Sequence, residues 1–455
     1  MEENLFNDVP VLKAILKLAL PTIFGQIIVV IYNMADTFYI GLTNSEVFLT
    51  ATTISLPAFM FLSAIANLFG VGGASLIARS LGAQNKEKAK KISSFSIIFC
   101  IITTIVYSLL AYIFIDGLIN LLGGVNIEVH YYAAKYMKVT IILGGVFTSL
   151  SMLLAHLLRA EGKSLAASIG IILGGILNII LDPLFMFVLL GKGNEVLGTA
   201  IATCLSNIIS CIYYFILIKF KYSKETYICV KFDSSIISDG IPKDVISIGL
   251  PACVMTTFEN ISYGILENLV SNYGIMYQAA LGVAKKINMF SHNFVRGLTQ
   301  GVLPLLAYNY SSKKYKRMKS VLNITLMIAI IFSSSWLIMN FVFSNELVSI
   351  FIHTDNSTKL LAIKFLRILC IGCPFSACAY TFVSYFQAVG KGEISFILAI
   401  LRKGAIDIPT MYLLSYFANC TEIFATPIAD VICCVVAITI FKIIIKTNND
   451  YLFID

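Results

Sequence analysis

The sequence predicts an all-α polytopic membrane protein with twelve transmembrane helices in two pseudo-symmetric six-helix bundles. Three observations predict it: apolar runs of spanning length recur, basic residues collect in alternate connections, and the two halves echo one another. Of the 455 residues, 58% are hydrophobic and 13% charged, against about 25% charged in an ordinary soluble domain. The net charge of +8 is spread over short Lys and Arg clusters between apolar runs instead of forming a stripe. Those clusters report topology, and no nucleic-acid partner is expected.

Apolar segments run over 14–41, 47–78, 92–121, 131–158, 165–190, 195–218, 245–272, 276–308, 320–344, 359–388, 393–416 and 422–445. Each can supply the roughly 20 residues of a span. The first ten residues, MEENLFNDVP, are acidic where a secretory signal is basic, and no small-residue cleavage site follows, so the first helix is expected to be retained. An even number of spans puts both termini on one side. Arg79 and Lys86–Lys91 fill the second connection, Arg159 and Lys163 the fourth, Lys219–Lys243 the sixth, Lys313–Lys319 the eighth and Lys391 the tenth. The alternate connections are nearly free of bases, with only Lys192 and Lys359 at their margins. The positive-inside rule therefore predicts a multi-pass protein of the inner (cytoplasmic) membrane with both termini cytoplasmic.

Residues 219–244 form the longest polar stretch, and they divide an N-terminal lobe, 1–218, from a C-terminal lobe, 245–455. LALP ending at Pro21 recurs as IGLP ending at Pro251, an offset of 230; LGAQNKEKAKK from Leu81 lies over SSKKYKRMKSV from Ser311 at the same offset. RAEGK from Arg159 lies over QAVGK from Gln387, an offset of 228. Near-constant offsets mark an internal repeat. Six helices per half make the repeats parallel, as in transporters whose bundles rock about a central site.

Polar residues inside these apolar helices locate the function. Thr22, Gln26, Asn33, Asp36 and Thr37 share one side of the first helix. A charged carboxylate in hydrocarbon costs at least ~2.5 kcal/mol, so Asp36 is a functional candidate. On the fifth helix Asn178 and Asp182 are one turn apart, and Pro183 frees a backbone carbonyl beside them. No Lys or Arg lies deep enough in the first six helices to neutralise either acid, so the pair is expected to need a proton or a metal cation. In the second half, Thr256, Glu259, Tyr263, Glu267 and Ser271 share a face of the seventh helix; Lys285, His292, Arg296 and Gln300 share one of the eighth. Glu267 with Lys285, and Lys403 with Asp407, have the spacing of internal ion pairs. Gln26, Tyr32, Asn33, Glu259, Tyr263, Met289, Arg296 and Gln300 are the expected lining of a substrate cavity.

Other chemistry is poorly supported. The eleven cysteines are an odd number within apolar runs, and Cys370 and Cys373 have no second ligand pair. His130, His156, His292 and His353 are far apart, so no structural or catalytic metal is expected. No P-loop occurs, and the short connections hold no acid–base cluster; the chain is read as a non-enzyme with no catalytic residue.

Three stretches carry a family likeness: GVGGASLIARSLGAQNKEKAKK, RAEGKSLAASIGIILGGILNIILDPLFMF and QGVLPLLAYNYSSKKYKRMK. In this order and spacing they resemble the bacterial branch of the multidrug and toxic compound extrusion (MATE) family, within the flippase-like superfamily. The resemblance implies a V-shaped exporter of organic, often cationic, compounds in antiport with protons or sodium ions by alternating access. It assigns Asp36, Asn178 and Asp182 to ion coupling, with a sodium ion there as the alternative to a proton, and adds Thr203 of the sixth helix. Glu259 resembles an acidic seventh-helix position that one branch uses for ion or substrate. No cofactor beyond the coupling ion is implied. The expected partners are small-molecule drugs or toxic metabolites and the lipid bilayer, with the protein a monomer. The rival reading is a flippase for lipid-linked oligosaccharide or phospholipid, whose phosphate the basic second half would suit.

Overall fold

A computed structural model describes residues 3–231, 233, 235–352, 356–417 and 420–447; His353 lies outside the described residues. Twelve long helices are present among the described residues. They are α1 (Val11–Gly41), α2 (Glu46–Gly82), α3 (Lys86–Ile113), α4 (Ile127–Leu143 and Gly145–Ala160, bent by 51°), α5 (Ser164–Leu189) and α6 (Glu195–Lys221). The second six are α7 (Ile241–Ser271), α8 (Ile275–Ser311), α9 (Tyr315–Val342), α10 (Asn356–Ala388), α11 (Gly392–Ile400, Leu401–Asp407 and Ile408–Ser415) and α12 (Ala425–Thr447). Among the described residues, nine helices are each apolar enough to cross a membrane, and bent α4 makes ten. The remaining two, α8 and α11, carry the bases Arg296, Arg402 and Lys403 that the second half pairs inside.

Local chemistry sets the helix ends. Ser45, Asn85 and Asn126 cap α2, α3 and α4, accepting hydrogen bonds from backbone N–H groups of the first turn. Pro183 cannot donate a helical hydrogen bond, and the chain passes directly into a π-helical stretch over Leu184–Leu189. The repeat is visible in the backbone itself. Asn44 and Gly274, Gln84 and Lys313, and Gly162 and Gly390 all take positive φ at related turns. Two of those pairs include a side chain that disfavours that conformation, so the turn geometry is imposed by the helices it joins.

The packing division differs from the covalent one. Ala14, Ile15, Leu18, Ala19 and Ile23, in the first half of α1, lie in a core with α8, α9 and α10. Reciprocally, Ile241, Val245 and Ile248 of α7 lie in a core with α2, α3 and α4. Each half thus lends the opening stretch of its first helix to the other. Farther along, α1 returns to α5 of its own half, and Leu266 and Val270 of α7 pack with the C-terminal helices.

The crossings need glycine. A Cβ at Gly249 would sit 1.7 Å from the Leu68 carbonyl oxygen, and one at Gly72 would sit 2.2 Å from that of Val245. The related seam between α1 and α8 repeats this: a Cβ at Gly297 would be 2.6 Å from Cα of Ile23, and at Gly301 2.7 Å from Cα of Ala19. Backbone therefore lies against backbone along both seams, near the end of the bundle that carries the start of α1.

Short segments latch the same end. Phe6, in the helix Glu3–Asn7, stacks on Tyr308, and Arg317 of α9 donates to the carbonyls of Phe6 and Val9 at 2.9 and 2.6 Å. The connection before α7 is fixed to the other half. Thr226 and the Tyr227 N–H donate to buried Glu161 at 3.0 and 2.7 Å, and Lys91 pairs with Asp239 at 2.7 Å.

Gly249→Ala forces the α2–α7 seam apart, an overpacking that costs about 1–3 kcal/mol; the thermal midpoint of the purified protein is expected to fall by several degrees. Gly264→Ala, whose Cβ meets nothing within 4 Å, is expected to leave the midpoint unchanged or raise it, since alanine favours helix by about 1 kcal/mol.

Candidate ion and substrate sites

Gly175 lets α1 lie directly on α5, because a Cβ there would be 2.5 Å from Ile28 Cγ2 and 3.1 Å from the Tyr32 ring. That approach brings Asp36 to the pair on α5. Asn178 Nδ2 is 3.4 Å from Asp182 Oδ1 and 3.4 Å from Thr203 Oγ1, which ties α5 to α6. The Asp36 and Asp182 carboxyl groups are buried neighbours that act on one another electrostatically. Two ionised carboxylates buried side by side repel, so a proton on one of them or a cation between them stabilises the pair. The four residues assigned to coupling from the sequence thus converge.

Several buried oxygens of this cluster have no hydrogen-bond partner among the described residues: Asp36 Oδ1, Asn178 Oδ1 and Asp182 Oδ2. Thr199 Oγ1 and Ser206 Oγ, which flank Thr203 along α6, are also unpartnered. Such a donor set is all hard oxygen, which suits a proton or an alkali cation and not a soft metal. Tyr136 of α4 is buried near both carboxylates and was not singled out in the sequence. Thr140, one turn on, is polar but its hydroxyl donates back to the Tyr136 carbonyl, and the flanking Lys135 and Lys138 read as an ordinary helix end, so nothing in the local pattern points to a carboxylate site. Thr199 and Ser206 were legible in principle, at helical spacing from Thr203. Arg159, read from the sequence as a topology marker, is in fact 2% exposed beside Tyr214. It lies 23 residues beyond Tyr136 along bent α4, too far to compensate the acids.

The C-terminal half is organised oppositely: three of its inner acids are each matched to a base. Arg296 pairs with Glu259 at 2.5 Å, Arg402 with Asp430 at 2.7 Å, and Lys403 with Asp407 at 2.7 Å. Hydroxyls complete the acceptors. Tyr380 donates to Glu259 at 3.1 Å, Ser262 and Thr426 donate to Asp407 at 2.7 and 3.2 Å, and Ser376 accepts from Arg402 at 3.0 Å. Nearer the α7–α8 turn, Lys285 pairs with Glu267 at 2.7 Å and lies over the Tyr263 ring. Both ion pairs expected from spacing are therefore formed. The role of Asp430 was not anticipated, because its partner Arg402 is 28 residues away on another helix.

The expected cavity residues divide into groups. Gln26 and Gln300 hydrogen-bond across the halves at 3.2 Å, and Asn67 and Thr256 do so on the other seam at 3.0 Å. These two bonds form the floor of the cleft. Above it lie Met289, 36% exposed, and Arg296, whose side chain is 31% exposed although it is ion-paired. Tyr263 is half-buried between Lys285 and Lys403, its ring 4.5 and 5.2 Å from their ammonium groups. Asn33 donates back to the Val29 carbonyl at 2.7 Å. Tyr32 is turned onto Gly175 of α5, so it belongs to the wall of the carboxylate cluster.

Comparisons with known proteins agree with this architecture. The sequence model of the MatE family matches residues 21–184 and again 251–413, one match per repeat. The chain is 30% identical over 437 residues to the multidrug export protein MepA of Staphylococcus aureus (strain MRSA252), covering 96% of this chain and 94% of that protein. It is 29% identical to MepA of Staphylococcus haemolyticus (strain JCSC1435), with the same coverage of both chains. Among solved structures, MATE in complex with MaL6 superposes with a TM-score of 0.88 at 24% identity, over 97% of this chain and 98% of that one. An outward-facing multidrug resistance MATE transporter of the MOP superfamily gives the same score and identity, over 97% of both chains. The chain belongs to the MatE family, the multidrug and toxic compound extrusion transporters, and is a multi-pass membrane protein of the bacterial branch of that family.

Proposed function

We propose that this transporter exports small organic molecules in exchange for protons or sodium ions entering through Asp36, Asn178, Asp182 and Thr203. The observation that carries the reading is the asymmetry of charge compensation. Glu259, Asp407 and Asp430 of the C-terminal half each hold a base, whereas Asp36 and Asp182 lie together with none among the described residues. A mobile cation is the missing partner, and a group that is charged only part of the time can gate a conformational change. The relatives named multidrug export proteins support drug-like cargo. The termini are assigned to the cytoplasm by the basic connections, so the cleft above the two glutamines opens outward. Alternating access then consists of opening the glycine seams while the opposite end closes, in a monomer whose two halves are the moving parts.

Energetically, one charge moving inward across ~100 mV supplies ~2.3 kcal/mol, enough for about fiftyfold accumulation of a neutral drug. Exchange of one ion for a monovalent cationic drug gains nothing from the potential. Flipping of phosphorylated lipid cargo is the less favoured reading, because Arg296, Arg402 and Lys403 of the second half are already neutralised pairwise.

In proteoliposomes loaded with a fluorescent organic cation, efflux driven by either a proton or a sodium gradient, and not both, identifies the ion. Asp36→Asn and Asp182→Asn are each expected to lower that efflux at least tenfold. No transport under either gradient by folded native protein would refute the antiport reading and direct the next assay to labelled phospholipid or polyprenyl cargo. Glu259→Gln leaves the half-buried Arg296 beside a neutral partner, and is expected to lower the thermal midpoint by several degrees. The double variant Glu259→Gln/Arg296→Gln is expected to recover most of that loss and to retain dependence on the ion gradient.

A further inference from the structure

One fully buried base of the N-terminal half has no counter-charge. Arg159, in the last turn of α4, is 2% exposed, and its Nε and Nη2 have no hydrogen-bond partner among the described residues. The groups in electrostatic contact with it are Tyr214 of α6 and His156 of its own helix, and neither is negative at neutral pH. Glu161, two residues on, is held elsewhere: it pairs with Lys163 at 2.6 Å and accepts from Thr226 and the Tyr227 N–H. A buried charge persists only when it is paired and hydrogen-bonded. This guanidinium therefore calls for an anion that the described residues do not provide.

Its surroundings are donors. The α4–α5 turn is tight, with the Gly162 N–H on the Arg159 carbonyl at 2.9 Å and the Lys163 N–H on that of Leu158 at 3.0 Å. The last turn of α4 thus lies beside the first turn of α5. No side chain caps α5, a helix of 20 residues before its π-helical stretch, and uncapped N–H groups at a helix start favour an anion. Tyr214 ties α6 to the same place: its hydroxyl donates to the Ala167 carbonyl at 2.5 Å and its ring lies against Gly170. Arg159, beside Tyr214, is thereby set at the opening turns of α5. Ser164 and Ser168, in the turn that contains Ala167, are each 1% exposed with an unpartnered hydroxyl.

We propose that Arg159, Ser164, Ser168 and the start of α5 hold a small monovalent anion of the chloride class, buried where α4, α5 and α6 meet. Charge sets the valence, since Lys163 is already neutralised by Glu161 and one guanidinium is left to match. Burial sets the size. A phospholipid cannot carry its acyl chains into so enclosed a position, and a divalent oxyanion brings a second charge that Arg159 alone does not match. The guanidinium and the two hydroxyls donate to the ion, and the dipole of α5 adds to their field. The ion joins the helices that carry Asn178, Asp182 and Thr203 farther along, and it takes no part in the exchange reaction. The assignment is independent of the antiport reading.

The test is the thermal midpoint of the purified full chain at constant ionic strength, with sodium gluconate exchanged for sodium chloride so that the cation at the carboxylate cluster does not vary. Chloride is expected to raise the native midpoint by several degrees, bromide to do the same, and sulfate to fail. Arg159→Gln is expected to melt at one temperature in chloride and gluconate. Ser164→Ala/Ser168→Ala, which leaves the charge in place, is expected to need at least threefold more chloride for half of the native rise. No chloride-dependent rise in the native chain would overturn the proposal, as would an undiminished rise in Arg159→Gln or equal protection by sulfate. Crystals of the native chain grown in bromide decide the position without any variant. An anomalous peak at the Arg159 guanidinium supports the site, and bromide peaks only elsewhere reject it even where the midpoint responds.

Discussion

Two seams of backbone laid on backbone hold the halves together, and the geometry of the cleft follows from them. Gly72 and Gly249 on one seam, and Gly297 and Gly301 on the other, bring helices of opposite halves closer than any side chain permits. Such contacts work by dispersion and exclusion of lipid, with no ion pair to break, so they can separate without stranding a buried charge. Because both seams lie toward one end, the helices diverge toward the other. Gln26 with Gln300 and Asn67 with Thr256 then mark where seam becomes cleft.

The exchange of first helices gives those seams their leverage. The opening stretch of α1 is buried among C-terminal helices, and that of α7 among N-terminal ones, while the far stretches of both return to their own halves. A rotation of one half therefore acts on a helix that carries Asp36 or Glu259 along its length. The ion cluster and the wall of the cleft are thus mechanically joined through α1, with no chain of side-chain contacts needed between them.

Electrostatics assigns different duties to two halves built on one plan. In the C-terminal half, Glu259, Asp407 and Asp430 each hold a base, and the first two also accept from hydroxyl donors, an arrangement that stabilises a fixed polar interior and resists a change of charge. In the N-terminal half, Asp36 and Asp182 have only each other, Asn178, Thr203 and Tyr136 nearby. Burial without compensation is costly, and it is this cost that makes the cluster responsive to a proton or cation.

Much of this was legible in the sequence, because periodicity, length and charge placement are local properties. The count of spans, the repeat at offsets near 230, the family likeness and the placement of Asn178 and Asp182 on one helix face all follow from spacing along the chain. So do the pairs Glu267–Lys285 and Lys403–Asp407, whose members lie on one helix or across one turn. Periodicity states which face of a helix is polar; it does not state which helix lies against that face. Only the tertiary structure could bring Asp430 to Arg402, Tyr136 to the carboxylates and Tyr32 onto Gly175, since each contact joins segments whose separation carries no regular spacing. The exchange of α1 and α7 between cores belongs to the same class. An apolar stretch buries equally well against either half, and the choice is made by where the glycines allow two backbones to meet.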